Sequence, residues 1–281
     1  MRAIGWALVL LLGLAACSPP APIAPERLSA SLRPHDLFLL PDGDGPFPAV
    51  VLLHSCVGNL GHVDEWAERL RRRGYAALVV NSMRARGIQT LPGALGVCRG
   101  RVLTGDERAA DLLVSLEHLR GDARIDARRL AVMGFSHGGW SALNALGLRA
   151  EGALRRAAPQ GLAGLRAVAA VYPYCGEKAL GRIADWPAGA AVLIVSGGRD
   201  TTVGYRDCQM LARRAAAAGK RAEGHLYPQA PHAFDVRPDL IWGLTRRYRP
   251  DEARDLERRL LDFLAREIGG SEKAGLRPAL R

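Results

Sequence analysis

The strongest constraint in the chain is a series of short, wholly apolar runs separated by amphipathic stretches. Residues 49–53 read AVVLL, 76–80 AALVV, 130–135 LAVMGF, 167–172 AVAAVY and 191–196 AVLIVS. Runs without polar alternation suit strands covered on both faces. Between them, residues 64–73 set Trp66 and Leu70 four apart and stop at Gly74, the pattern of a helix with its terminator. Thr104-Gly105-Asp106-Glu107 is a capping box, and Leu112, Leu113, Leu116 and Leu119 continue it as an amphipathic helix. Further helices are predicted over 138–148, 208–218 and 251–268, the last with Leu256, Leu260, Leu264 and Ile268 on one face beside Phe263. A strand is predicted over 222–227.

Alternation of this kind, with right-handed crossovers, predicts an α/β fold: a mostly parallel central sheet with helices on both faces. The 281 residues suit one domain of that type, expected over 36–268, with a frayed tail over 269–281. There is no internal repeat and no CxxC or HExxH spacing, so neither a metal nor a cofactor is expected. Ligands on such sheets bind beyond the carboxyl ends of the strands. The residues that matter should therefore follow strands directly.

After the run 130–135 comes Gly134-Phe135-Ser136-His137-Gly138-Gly139 and then a helix. This is G-x-S-x-G in a strand–turn–helix context, where small neighbours let a tight turn expose the serine hydroxyl. A serine needs a base held by a carboxylate, and the chain order for this architecture is serine, acid, histidine. Run 191–196 leads into Gly197-Gly198-Arg199-Asp200, and strand 222–227 leads into Pro228-Gln229-Ala230-Pro231-His232. Asp200 and His232 fill the two positions in order. Asp207 reads better as a helix cap, His225 falls inside a strand, and His118 and His62 have no implied carboxylate partner. His54 precedes Ser136 and suits the shaping of a loop. For an oxyanion, the backbone N–H of His137 is one expected donor and that of Cys56 the other, with Ser55 as the alternative.

The segments GFSHGG, GGRD and YPQAPHAFD, with RGYAALVVNSMRARG and HSCVG, resemble the dienelactone hydrolase family of α/β-hydrolases over about residues 36 to 268. The resemblance implies that these are nucleophile elbow, acid loop, histidine loop and oxyanion loop. Its best-known members use a cysteine nucleophile and a glutamate on the oxyanion loop, where this chain has Ser136 and Ser55. Both departures favour a cofactor-free serine carboxylesterase acting on a small ester or lactone. A peptidase or acyltransferase with the same triad, or a non-catalytic envelope binding module, are the alternative readings. Arg86, on a loop after a strand, is a candidate for receiving a substrate carboxylate. The stretch 172–191 is too short for a large cap domain. Four cysteines beyond Cys17 allow three pairings. Cys56 and Cys98 lie on loops after adjacent early strands, Cys175 and Cys208 flank the acid loop, and secreted relatives look similar in this; Cys56–Cys98 and Cys175–Cys208 are the expected bridges.

The amino terminus predicts a compartment. Arg2 precedes an apolar run over 3–16, too short to span a bilayer but suited to a signal peptide over 1–16. Leu14-Ala15-Ala16-Cys17 resembles the bacterial lipoprotein processing box, which implies lipid on Cys17 and a membrane anchor. Ser18 resembles the outer-membrane sorting pattern, and prolines make 17–35 a spacer facing the periplasm. Net charge is +11, almost all of it arginine, with only Lys178, Lys220 and Lys273 as lysines. The arginines are spread along helices and aromatics are scarce, so no nucleic-acid surface is expected. Weak attraction to anionic lipid heads or carboxylates is the functional reading of the charge.

Overall fold

A computed structural model of the chain describes residues 22–179, 183–237 and 247–269. The expected signal segment, Cys17 and the tail from residue 270 lie outside the described residues.

The apolar runs become strands of one seven-stranded sheet. In chain order the strands are β1 (Leu37–Leu39), β2 (Phe47–Leu53), β3 (Ala76–Val80), β4 (Ile125–Phe135), β5 (Leu165–Val171), β6 (Ala191–Gly197) and β7 (Ala222–Tyr227). Their order across the sheet is β1-β3-β2-β4-β5-β6-β7, with every pair parallel except β1 with β3. The helices are α1 (Pro25–Leu32), α2 (His62–Arg71), α3 (Leu91–Cys98), α4 (Gly105–Arg120), α5 (His137–Gly147), α6 (Gly152–Ala157), α7 (Arg206–Ala217) and α8 (Pro250–Ile268).

Side-chain alternation divides the interior in two. Ala49, Val51 and Leu53 of β2, with Leu130 and Val132 of β4, pack against α1, α4, α5 and α7. Val50 and Leu52, with Ala131, Met133 and Phe135, face α2 and α8 on the other side. Both faces are covered, which is why the strands carry no polar alternation. The chain runs from β2 outward to β3 and then returns to place β4 on the opposite flank of β2. That reversal opens a crevice at the carboxyl ends of β2 and β4, where such sheets bind ligands.

The expected helix starts and stops are present. Thr104 Oγ1 accepts from the Glu107 amide at 3.3 Å, and Glu107 Oε2 accepts from the Thr104 amide at 2.7 Å. Beyond Arg71, Gly74 turns the chain at φ 81°. No large cap is inserted between β5 and β6, where the described residues form two short 3-10 turns.

Three features differ from expectation. The spacer is shorter than 17–35, because Pro25–Leu32 is helical and buries Leu28 and Leu32 against α4 and α6. Leucines at i and i+4 give this stretch an apolar stripe, which outweighs its run of preceding prolines. An antiparallel edge strand, β1, was not anticipated, being only three residues long. Helix α3 occupies a glycine-containing stretch, capped by Thr90 accepting from the Gly93 amide.

If α1 is part of the body, Leu32→Ala should lower the free energy of unfolding by about 2–5 kcal/mol. Urea unfolding with the disulfides intact measures it. A loss below about 0.5 kcal/mol would assign residues 25–35 to the tether.

Candidate active site

Ser136 follows β4 directly and takes φ 55°, ψ −114°, a conformation that a side-chain-bearing residue seldom adopts. The neighbouring glycines explain how it is held. A Cβ on Gly134 would lie 2.3 Å from the Gly138 carbonyl oxygen, and one on Gly138 would lie 2.2 Å from that of Leu53. Only bare backbone lets α5 start this close to β2 and β4. The Ser136 amide donates to Val171 O at 2.9 Å, tying the turn to β5.

Two loops complete the group. His232 Nε2 lies 2.9 Å from Ser136 Oγ, and His232 Nδ1 lies 2.7 Å from Asp200 Oδ2. With Nδ1–H donating to the carboxylate, Nε2 is the lone-pair nitrogen facing the hydroxyl. The other oxygen of Asp200 accepts from the amides of Thr202 at 2.8 Å and Val203 at 3.1 Å. Acid loop and histidine loop are also joined directly, Arg199 N donating to Ala230 O and Gly198 N to Tyr227 O. All three side chains are buried.

Around Ser136 lies a cavity of about 430 Å³. Val57, Leu60, Trp140, Tyr174, Val203 and Val236 make its wall mostly apolar, and Arg99 and Arg247 also line it. Cys56 and His137 line the same cavity. The His137 amide is the first of α5 and has no acceptor within the helix, so a helix N-terminus with a spare donor faces the serine. The disulfide Cys56–Cys98 fastens the Cys56 loop to the end of α3, with Cα atoms 4.9 Å apart. Cys175–Cys208 fastens the segment after β5 to α7. Both bridges have the expected partners.

Beneath the cavity is a buried charged layer. Arg108 of α4 is fully buried, and its Nη1 donates to the His54 carbonyl at 2.9 Å and to His137 Nδ1 at 3.1 Å. One guanidinium thus joins the residue before Ser55 to the residue after Ser136. His54 Nδ1 donates to Ser55 O at 2.7 Å. Burial, reinforced by the Arg108 cation, pulls His54 down to about 3 and holds His137 well below the ordinary imidazole value. Burial also pulls Arg108 down to about 10, which leaves it charged at neutrality.

Arg86, the expected receiver of a substrate carboxylate, is placed elsewhere. It forms a bidentate pair with buried Asp111 at 2.8 and 2.9 Å and donates to Ser82 O, and it does not line the cavity. Both of its terminal nitrogens are taken by a carboxylate that the chain itself supplies. Asp207 is exposed in the first turn of α7 and caps nothing, the cap position being Tyr205. His225 stacks edge-on against Tyr227 in β7, and His118 lies edge-on to Phe38. His62 does have a carboxylate partner: its Nε2 lies 2.9 Å from Asp235 Oδ2, while Tyr172 donates to Asp235 Oδ1 at 2.8 Å. Burial pushes Asp235 upward, but the neighbouring His62 and the hydrogen bonds from His62 and Tyr172 bring it below the usual carboxylate value. Asp235 closes the segment that holds His232, and the Tyr172 ring packs edge-on to His232 at 5.0 Å. This brace was missed, although Asp235 stands only three residues beyond the histidine.

Residues 37–268 match the sequence model of the dienelactone hydrolase family. A Yersinia pestis protein named "Putative carboxymethylenebutenolidase" is 28% identical over 232 residues, 78% of each chain. Among solved structures, a Klebsiella pneumoniae protein titled "Putative Dienelactone Hydrolase" superposes with TM-score 0.62 at 24% identity, over 82% of this chain and 92% of its own. The butyrate-bound Est2 esterase of Thermogutta terrifontis superposes with TM-score 0.58 at 16% identity, over 85% of this chain and 91% of its own. At these identities the two structures establish a shared fold.

The neutral, buried histidines predict a direction of acid sensitivity. His54 and His137 take up protons on unfolding below their ordinary value of 6.5, so the unfolded state binds more protons and stability drops as the pH drops. Each contributes a slope of about 1.4 kcal/mol per pH unit. Asp36, raised by burial to about 6, opposes one of the two between about pH 6 and pH 4. Urea unfolding should therefore give about 2–4 kcal/mol less stability near pH 5 than near pH 7.5. Equal or greater stability at the lower pH would contradict it.

Proposed function

The chain belongs to the dienelactone hydrolase family and is a carboxylic ester hydrolase, and we propose that it works through Ser136 as nucleophile, His232 as base and acid, and Asp200 as the group orienting the imidazole. The observation that carries this reading is the unbroken hydrogen-bonded chain from Asp200 through His232 to Ser136 at one side of an apolar cavity.

In this mechanism Ser136 Oγ attacks the carbonyl carbon of an ester or lactone as His232 Nε2 takes the hydroxyl proton. Asp200 stabilises the resulting imidazolium, and its two backbone donors keep it from turning away. The tetrahedral oxyanion is received by the amides of His137 and Cys56. His232 then passes its proton to the leaving alkoxide, leaving an acyl group on Ser136. Water, deprotonated by the same nitrogen, attacks that acyl group, and the collapse returns the proton to Ser136 and frees the acid.

The mostly apolar wall favours an apolar acyl group beside Ser136, while Arg99 and Arg247 are the cations that line the cavity. Among the described residues no large cap covers the site, which favours short or exposed acyl groups. The compartment reading rests on the sequence and the cysteines. Export and lipidation at Cys17, with the body in the periplasm, are supported by the apolar run that ends at Cys17 and by two disulfides, bonds that persist in oxidising compartments.

Ser136→Ala should fold normally and lose about 10⁴-fold or more in kcat on p-nitrophenyl butyrate. Acid-quenched wild-type protein should carry the butyryl mass on the peptide containing Ser136. Undiminished turnover in the variant, or the acyl group on another peptide, would remove this mechanism.

A further inference from the structure

Among the described residues five large apolar side chains are exposed, and four of them lie on two segments that adjoin the cavity, the loop after β2 and α3. Val57 and Leu60 are 42% and 44% exposed on the loop after β2; Leu91 and Leu95 are 73% and 44% exposed on α3. Leu91 and Leu95 are four apart and so share one helix face. The other face of α3 sends Ala94 and Val97 into a small core with Met83, Ile88 and Leu103. The disulfide Cys56–Cys98 staples the end of α3 to the loop carrying Val57 and Leu60. Because Val57, Leu60, Cys98 and Arg99 also line the cavity, this apolar surface is continuous with its entrance.

The stretch of chain that carries α3 is basic up to the start of α4, where Asp106 and Glu107 follow. From Ser82 to Gly105 the chain has four arginines and no acidic residue. Arg86 is consumed by Asp111, but Arg84, Arg99 and Arg101 are exposed, with no ion pair among the described residues. Exposed leucines on a short helix beside unpaired arginines suit the headgroup boundary of an anionic bilayer, which takes the leucines and neutralises the cations. A second copy of the chain is the poorer occupant. A two-fold contact through this patch would set the three arginines against themselves.

We propose that the outer face of α3, with Val57, Leu60 and the arginines at 84, 99 and 101, docks on an anionic lipid surface and turns the mouth of the site toward it. The substrates then supplied are amphipathic esters partitioned at that surface. This last consequence rests on Ser136 as nucleophile; the docking does not.

Hydrogen exchange of the full chain, with and without vesicles of phosphatidylcholine and phosphatidylglycerol, tests it. Any attachment through the amino-terminal segment is common to every variant, so the readout is local. Peptides covering 56–61 and 88–102 should exchange at least about tenfold more slowly with anionic vesicles, and should not change with phosphatidylcholine alone. Leu91→Ser/Leu95→Ser should abolish that protection while hydrolysing soluble p-nitrophenyl acetate within about twofold of wild type. Arg84→Gln and Arg101→Gln should each weaken vesicle binding through this surface by about fivefold. Ser136→Ala should keep the protection, which separates failure of the docking from failure of the mechanism. Protection absent in these peptides, unchanged by the double variant, or arising from protein concentration without vesicles would overturn the proposal, the last by assigning the face to a second copy.

Discussion

The site depends on one close approach of backbone to backbone. Where β4 turns into α5, the chain passes so near Leu53 and the start of α5 that positions 134 and 138 tolerate no Cβ. Ser136 is left in a conformation costing on the order of 1–3 kcal/mol, which the packed sheet around it must hold. In return the hydroxyl stands clear of the strand, at the positive end of a helix, facing the loops that leave β2, β6 and β7. Two of those loops follow strands buried along their length, β2 and β6, and the third follows β7, an edge strand held in parallel register by β6. The convergence of three distant side chains is thus a property of the sheet.

Beneath the hydroxyl the protein spends buried charge on geometry. Arg108 reaches both the backbone before Ser55 and the ring after Ser136, while Arg86 is paired with Asp111 close by. A buried pair of this sort adds little stability against an apolar replacement, and removing one partner is expensive. The coupling itself comes from Arg108, which joins the loop after β2 to the start of α5. The bridge Cys56–Cys98 holds one of these segments from the solvent side. The Cys56 loop is therefore anchored from below by a guanidinium and from above by a covalent bond. Asp235, accepting from Tyr172 and lying against His62, plays the matching part for the histidine loop.

Much of this was legible in the chain. Buried parallel strands announce themselves as unbroken apolar runs, and the topology then dictates which ends face the ligand. Ser136 and Asp200 follow such runs closely, and His232 stands on the loop after the more polar strand β7, so their meeting followed from chain order. What escaped depends on partners chosen in three dimensions. Arg86 lies on a loop after a strand, as expected, but nothing local reveals that Asp111, 25 residues on, takes its guanidinium. His62 and Asp235 are 173 residues apart, and neither has a motif of its own. Helix α1 was hidden by the prolines before it, and α3 by its glycines, since local propensity is a weak guide where packing or a cap decides.

The account turns on whether charge developing on a substrate oxygen is met by the amides beside Ser136. A crystal structure of the chain inactivated by a phosphonylating agent tests this directly. It should show phosphorus bonded to Ser136 Oγ, with the phosphoryl oxygen within about 3 Å of the backbone nitrogens of both His137 and Cys56. Phosphorus on another side chain, or a phosphoryl oxygen pointing away from both nitrogens, would contradict it.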